Sequence, residues 1–120
     1  MKKVIWVGSS RRDIRAMPQD VRDALGFGLY HAELEITHPS MKTLKGFGGA
    51  GVQEIRADDS SGTYRAVFTV QFSGYLYVLH AFQKKSKAGI KTSQQDMVLI
   101  RSRLAWAAQD FKRRMANAQK

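Results

Sequence analysis

The stretch YRAVFTVQFSGYLYVLHAF, Tyr64 to Phe82, restricts the fold of this chain more than any other. Before Ser73-Gly74, side chains alternate. Tyr64, Ala66, Phe68, Val70 and Phe72 fall on one face, and Arg65, Val67, Thr69 and Gln71 on the other. Two strands joined by a two-residue turn at Ser73-Gly74 satisfy the pattern. On that register Phe72 lies opposite Tyr75, Val70 opposite Tyr77 and Phe68 opposite Leu79. Tyr75, Tyr77, Leu79 and Ala81 then extend the apolar face, while Leu76, Val78, His80 and Phe82 share an open face with Arg65. A slip of one residue would turn His80 to the other side.

The flanking segments give short elements. Lys3 to Val7 reads as an opening strand, and Ser10 can cap a brief helix that stops before Pro18. Pro18 suits the first turn of a second helix, whose stripe is Val21, Leu25, Leu29 and Ala32. Gly26 and Gly28 inside this pattern mark either a close packing contact or a break. Thr37 to Gly51 reads as a glycine-rich loop without a phosphate-loop or dinucleotide fingerprint. Val52 to Arg56 is a strand, and Asp58 to Gly62 turns the chain into the hairpin, predicting a three-stranded antiparallel meander. Thr92 or Ser93 can cap a last helix, with Gln95 completing a capping box after Thr92, and its stripe is Met97, Ile100, Leu104, Ala108, Phe111 and Met115.

With 120 residues the chain fits one domain, 1–120. It has no 18-residue apolar run, so no membrane span is expected, and its N-terminal apolar stretch is too short for a signal peptide. Without cysteine, disulfide and thiolate chemistry are excluded, and a cytoplasmic location is expected. The net charge of +10 is unevenly spread. Residues 1–60 carry nine basic and eight acidic side chains, and residues 61–120 carry eleven and two. That asymmetry is the footprint of a nucleic-acid binder, or of a basic surface neutralised by an acidic partner protein.

Arg65, His80 and the Lys84-Lys85-Ser86-Lys87 run gather at the end of the hairpin away from its turn. Lys42 and Lys45 can lean toward this platform, Lys87 and Lys91 extend it, and Phe82 can stack on a base. No metal-ligand spacing and no cofactor motif is present. Cations alone can cleave RNA, because the RNA supplies its own nucleophile, the 2′-hydroxyl. Arg65, Lys84 and Lys85 would stabilise charge on the non-bridging oxygens, and His80 would serve as general acid or base.

The segments MPQDVRDALGFGLYHAE, HPSMKTLKGFGGAGVQEIR, TYRAVFTV, YVLHAFQKKSKAGIKT and MVLIRSRLAWA occur in this order. With them the chain resembles the RelE/ParE-superfamily toxins of type II toxin–antitoxin modules, in their phage-related HigB-like branch. The resemblance implies an α+β fold, with N-terminal helices packed on a small twisted, mainly antiparallel sheet and a C-terminal helix. It also implies a metal-independent mRNA endonuclease acting on the ribosome and inhibited by a cognate helix-turn-helix antitoxin. Arg65 falls on the family's phosphate-contacting strand arginine, and Lys84 and Lys85 on its basic catalytic position after the last strand. Lys45 falls in a loop where some relatives use a lysine. His80 lies farther from the strand's end than the catalytic histidine of relatives, and the terminal catalytic tyrosine of some members has no counterpart. Two alternatives are a ParE-type inhibitor of DNA gyrase and a basic nucleic-acid-binding module without catalysis.

Overall fold

The structure, a computed structural model, describes residues 1–48, 51–84 and 92–118. Its elements are β1 (Lys3–Trp6), α1 (Ser10–Arg15), α2 (Gln19–Glu33), β2 (Met41–Thr43), β3 (Val52–Asp59), β4 (Gly62–Thr69), β5 (Tyr75–Lys84) and α3 (Gln94–Ala118). The strands form one sheet in the order β1-β5-β4-β3-β2. The expected meander is its centre, and two strands are added at the edges. β1 pairs in parallel with β5, and β2 lies antiparallel to β3. β2 falls within the stretch expected to be loop. Three residues long, it carries no period of its own, and the pairing of Met41 with Ile55 holds it.

Both faces of the sheet are covered. Ile14 of α1 and the α2 stripe Val21, Leu25, Leu29 and Ala32 pack on Ile55, Tyr64, Ala66, Phe68, Leu76 and Val78. On the other face, Ile100 and Ala107 of α3 pack on Val52, Val67, Tyr77 and Leu79. The α+β architecture is therefore the one expected. α2 does not break at its glycines. A Cβ on Gly28 would lie 2.8 Å from Ile55 Cγ2, so this glycine brings the helix down onto β3, whereas Gly26 faces open space.

The hairpin departs from ideal pairing at one point. Val67 pairs with His80 and Phe68 with Val78, leaving Leu79 as an extra residue in β5. Between this bulge and Lys84 the register is the expected one, with Arg65 opposite Phe82 and Ala66 opposite Ala81. Toward the turn it is offset by one, with Thr69 opposite Tyr77. Leu76 and Val78 consequently face α2, and Tyr77 faces α3. The connection is longer than two residues and is closed by Tyr75 N–H donating to Phe72 O at 3.0 Å, with Gly74 at φ 88°. The carbonyl of Leu79 accepts from Arg103 Nη1 at 3.0 Å, and Arg103 Nη2 reaches Ser9 Oγ at 3.1 Å. Gly8, at φ 55°, lies under that guanidinium, where a Cβ would meet Arg103 Cζ at 2.8 Å. One arginine of α3 thus holds the bulge and the β1–α1 connection together.

The helix starts also differ in detail. Ser9, not Ser10, is the residue before α1, and Ser10 is buried inside it. Of the two candidates, Ser93 caps α3. Its Oγ accepts from Asp96 N–H at 3.1 Å and donates to Asp96 Oδ2 at 2.7 Å. Farther along, Asp110 is buried against the sheet, accepting from Tyr77 Oη at 3.0 Å and Arg114 Nε at 2.7 Å. Burial pushes the Asp110 carboxyl up, but the bonds from Arg114 and Tyr77 outweigh it and hold it below the usual carboxylate range. Burial, then the bond to Asp110, pushes the Tyr77 hydroxyl up to about 12.

Two outcomes follow for stability. Gly26→Ala should stabilise by ~0.5–1 kcal/mol through helix propensity, while Gly28→Ala should destabilise by ~1–3 kcal/mol through overpacking; urea melts of both check this. Asp110 has a depressed folded pKa, so its contribution is present above the ordinary carboxylate pKa and disappears as pH falls through the folded value. Asp110→Asn should therefore flatten the acid limb of a thermal midpoint–pH profile. Tyr77→Phe should instead remove stability that the native chain loses only as pH rises from about 10 toward about 12.

Candidate functional site

β3 and β4 run side by side with Arg56 opposite Arg65 and Glu54 opposite Val67, and β2 adds Lys42 opposite Glu54. Alternation puts these charged side chains on the face toward α3, beside the start of that helix. There Lys42, Glu54 and Arg65 line a cleft of about 410 Å³ whose other walls are Thr43, Leu44, Lys45, Thr92 and Met97. Next to Lys45, Arg101 donates to Gly46 O at 3.2 Å and lies 5.5 Å from the Phe47 ring centre.

Arg65 is not the open-face cation expected from alternation. It is 1% exposed, and its Nη1 donates to both carboxylate oxygens of Glu54 at 2.9 Å. The reason is the cover on this face, since Glu54 is itself 1% exposed and needs a cation to be buried as a charge. Lys42, half exposed, shares the same carboxylate at 3.2 Å. Arg65 Nε is buried without a partner. A guanidinium held in this way cannot swing, and only its edge toward the cleft can meet a ligand.

Lys84, at the end of β5, shares the Arg65 face through its pairing with Thr63. Burial, then the positive charge of Arg65, lowers its ammonium pKa below the ordinary lysine value. Lys45 is exposed on the cleft rim. Lys85, Lys87 and Lys91, also expected in this site, lie outside the described residues.

His80 and Phe82 reach the Arg65 face as expected, yet neither opens onto the cleft. The rings stack at 4.7 Å and 18°, and His80 Nε2 bonds Asp96 Oδ1 at 2.8 Å beneath the first turn of α3. His80 Nδ1 is buried and unpartnered. His80 thus joins sheet to helix, and Phe82 packs beside it in the core on that side.

Sequence reasoning missed Glu54, Arg56 and Asp96. The signal for Glu54 was faint: it shares the period-2 face of the apolar Val52, but Arg56 and Asp58 on the same face make that face read as solvated. Asp96 carried none, because its partner lies 16 residues away across a helix start. Among the described residues no group of three or more His, Cys, Asp or Glu side chains is placed to hold a metal ion. No helix among them is long and apolar enough to cross a membrane.

This architecture is that of a known toxin fold. The structure of the isolated E. coli RelE toxin superposes with a TM-score of 0.52, at 13% sequence identity, covering 85% of this chain and 98% of that one. The sequence matches the family described as phage-derived protein Gp49-like (DUF891) over residues 12–105, and the chain belongs to that family. The family is thus the Gp49-like one, and the fold is that of the RelE toxin. No curated protein matches it significantly.

The buried pair makes a sharp energetic prediction. Glu54→Ala should cost ~3–5 kcal/mol by stranding the Arg65 charge, whereas the Glu54→Leu/Arg65→Met double variant should recover most of that loss in denaturant melts.

Proposed function

We propose that the protein is the toxin of a type II toxin–antitoxin module, an endoribonuclease that cuts messenger RNA in this cleft without a metal ion. One observation carries the reading: a guanidinium locked at the cleft floor by Glu54, with the ammonium groups of Lys42 and Lys45 on the same walls. Lys84 extends the cationic group along β5. RNA brings its own nucleophile. The 2′-oxygen attacks the adjacent phosphorus, the new O2′–P bond replaces the P–O5′ bond, and the products end in a 2′,3′-cyclic phosphate and a 5′-hydroxyl. Negative charge grows on the non-bridging oxygens on the way, and fixed cations stabilise that state more than the ground state.

Arg65 supplies a fixed positive edge and Lys42 a freer one. Lys84, whose lowered pKa raises its neutral fraction, takes the 2′-hydroxyl proton, and the departing oxygen is protonated by a neighbouring ammonium or by water. His80 acts as a positioning residue here, because Asp96 holds its outer nitrogen. Lys85 belongs to the proposal as a further catalytic ammonium, and Lys87 and Lys91 as further RNA contacts. Action on ribosome-bound messages, restraint by a helix-turn-helix antitoxin of the HigB-like kind and a cytoplasmic location complete it.

The purified protein should cut a short RNA in the presence of EDTA and leave a 2′,3′-cyclic phosphate. A single 2′-deoxy substitution at the cut site should abolish cleavage there. Lys84→Met should lower the rate by ~10²–10⁴-fold with its melting temperature unchanged. Cleavage at the deoxy position, or a full rate in Lys84→Met, would overturn the assignment.

A further inference from the structure

α3 carries two carboxylates among its 25 residues, and both are turned inward. Asp96 is bonded to His80 and Ser93, and Asp110 to Tyr77 and Arg114. Three of its five cations also bond within the protein, Arg103 on Leu79 O, Arg114 on Asp110 and, at 3.4 Å, Arg113 on Asp110. The outward arc holds Arg101, Lys112 and Arg113, all exposed, and no exposed acid. Its indole, Trp106, is 44% exposed with the Arg113 guanidinium 5.9 Å from the ring. Small residues, Ser102 and Ala105, separate the cations. At ~1.5 Å per residue, Arg101 and Lys112 stand roughly 17 Å apart, and eleven residues of helix return them to nearly the same direction. Arg101 also bonds Gly46, the neighbour of the cleft residue Lys45, so the basic arc begins close to the proposed cleavage site.

We infer that this outer face of α3 is a second RNA-binding surface, one that docks on double-helical RNA beside the strand held in the cleft. The inference rests on the nuclease reading only for the choice of RNA over DNA. An acidic protein is the competing occupant, but protein interfaces are built around a contiguous apolar core. The exposed apolar side chains of this face, Val98, Trp106 and Met115, stand singly along roughly 25 Å of helix among serine, alanine and glutamine. A charge-dominated, polar surface is the composition of a nucleic-acid interface. Single strands are held in grooves lined with several stacking rings, whereas this face is convex and exposes one. A convex rod with cations along it fits a shallow groove walled by two phosphate strands, as A-form RNA presents. The exposed indole can then stack on a base at a duplex end or bulge.

The test measures fluorescence anisotropy of the full chain on a 2′-O-methyl RNA duplex, which cannot be cleaved, and on one of its strands alone. Wild type and the Lys112→Gln/Arg113→Gln variant are compared across a KCl series. The variant should bind the duplex at least tenfold more weakly at 0.1 M KCl. The slope of log affinity against log salt should flatten by about 2, for two lost phosphate contacts. Its single-strand affinity and its cleavage of a short unpaired RNA should stay within twofold of wild type. Equal duplex affinity in the two proteins would overturn the inference, as would equal losses on duplex and single strand. Loss of binding to an acidic partner protein with duplex affinity intact would overturn it in favour of a protein site. Duplex binding without any RNA cleavage would instead sink the nuclease reading and leave this surface standing.

Discussion

One extra residue in β5 decides which side chains share a face with Arg65. Without the bulge at Leu79, the register set near the turn would carry through the hairpin and send His80 and Phe82 toward α2. With it, Tyr77 and Leu79 pack under α3, and His80 still comes round to meet Asp96. A bulge leaves ladder groups unpaired, and each buried one costs free energy. Here the Leu79 carbonyl is satisfied by Arg103, whose guanidinium also needs the bare backbone of Gly8 beneath it. The site geometry, the seat of α3 and the first connection of the chain therefore depend on one irregularity.

Much of this was legible in the sequence, for identifiable reasons. The α2 stripe and the α3 stripe repeat at helical spacing over several turns, so both helices could be placed from pattern alone. β4 alternates cleanly from Tyr64 to Thr69, which fixed its two faces. β5 does not alternate: from Tyr75 to Phe82, YLYVLHAF, every residue but His80 is apolar, because the strand is covered on both sides. Period-2 reasoning has nothing to hold in such a strand, so the bulge was invisible. The outward register was nevertheless correct beyond Leu79, since an expected turn one residue too short and an unseen bulge shift the pairing in opposite directions. β2 and the parallel pairing of β1 were hidden for another reason: short edge strands are held by partners distant in sequence.

The candidate site was half legible. Alternation correctly put Arg65, His80 and Phe82 on one face but treated that face as open, whereas α3 closes over it. Closure turns a surface cation into a buried one, and a buried cation requires a counter-charge. That requirement is what gives Glu54 its place.

Pairing Arg65 with Glu54 changes what the cleft offers an anion. Together with Lys42 and Lys45 the four groups carry two net positive charges, and Lys84 raises that to three only when protonated. On the proposed reading, further attraction for RNA comes from the surrounding basic surface. What the buried pair supplies is orientation. Its donors are fixed before any ligand arrives, in a pocket partly shielded from water, where a fixed dipole acts more strongly on charge that develops than on charge already present. On the proposed reading, a site built in this way favours turnover over tight holding and leaves affinity to be set elsewhere on the molecule.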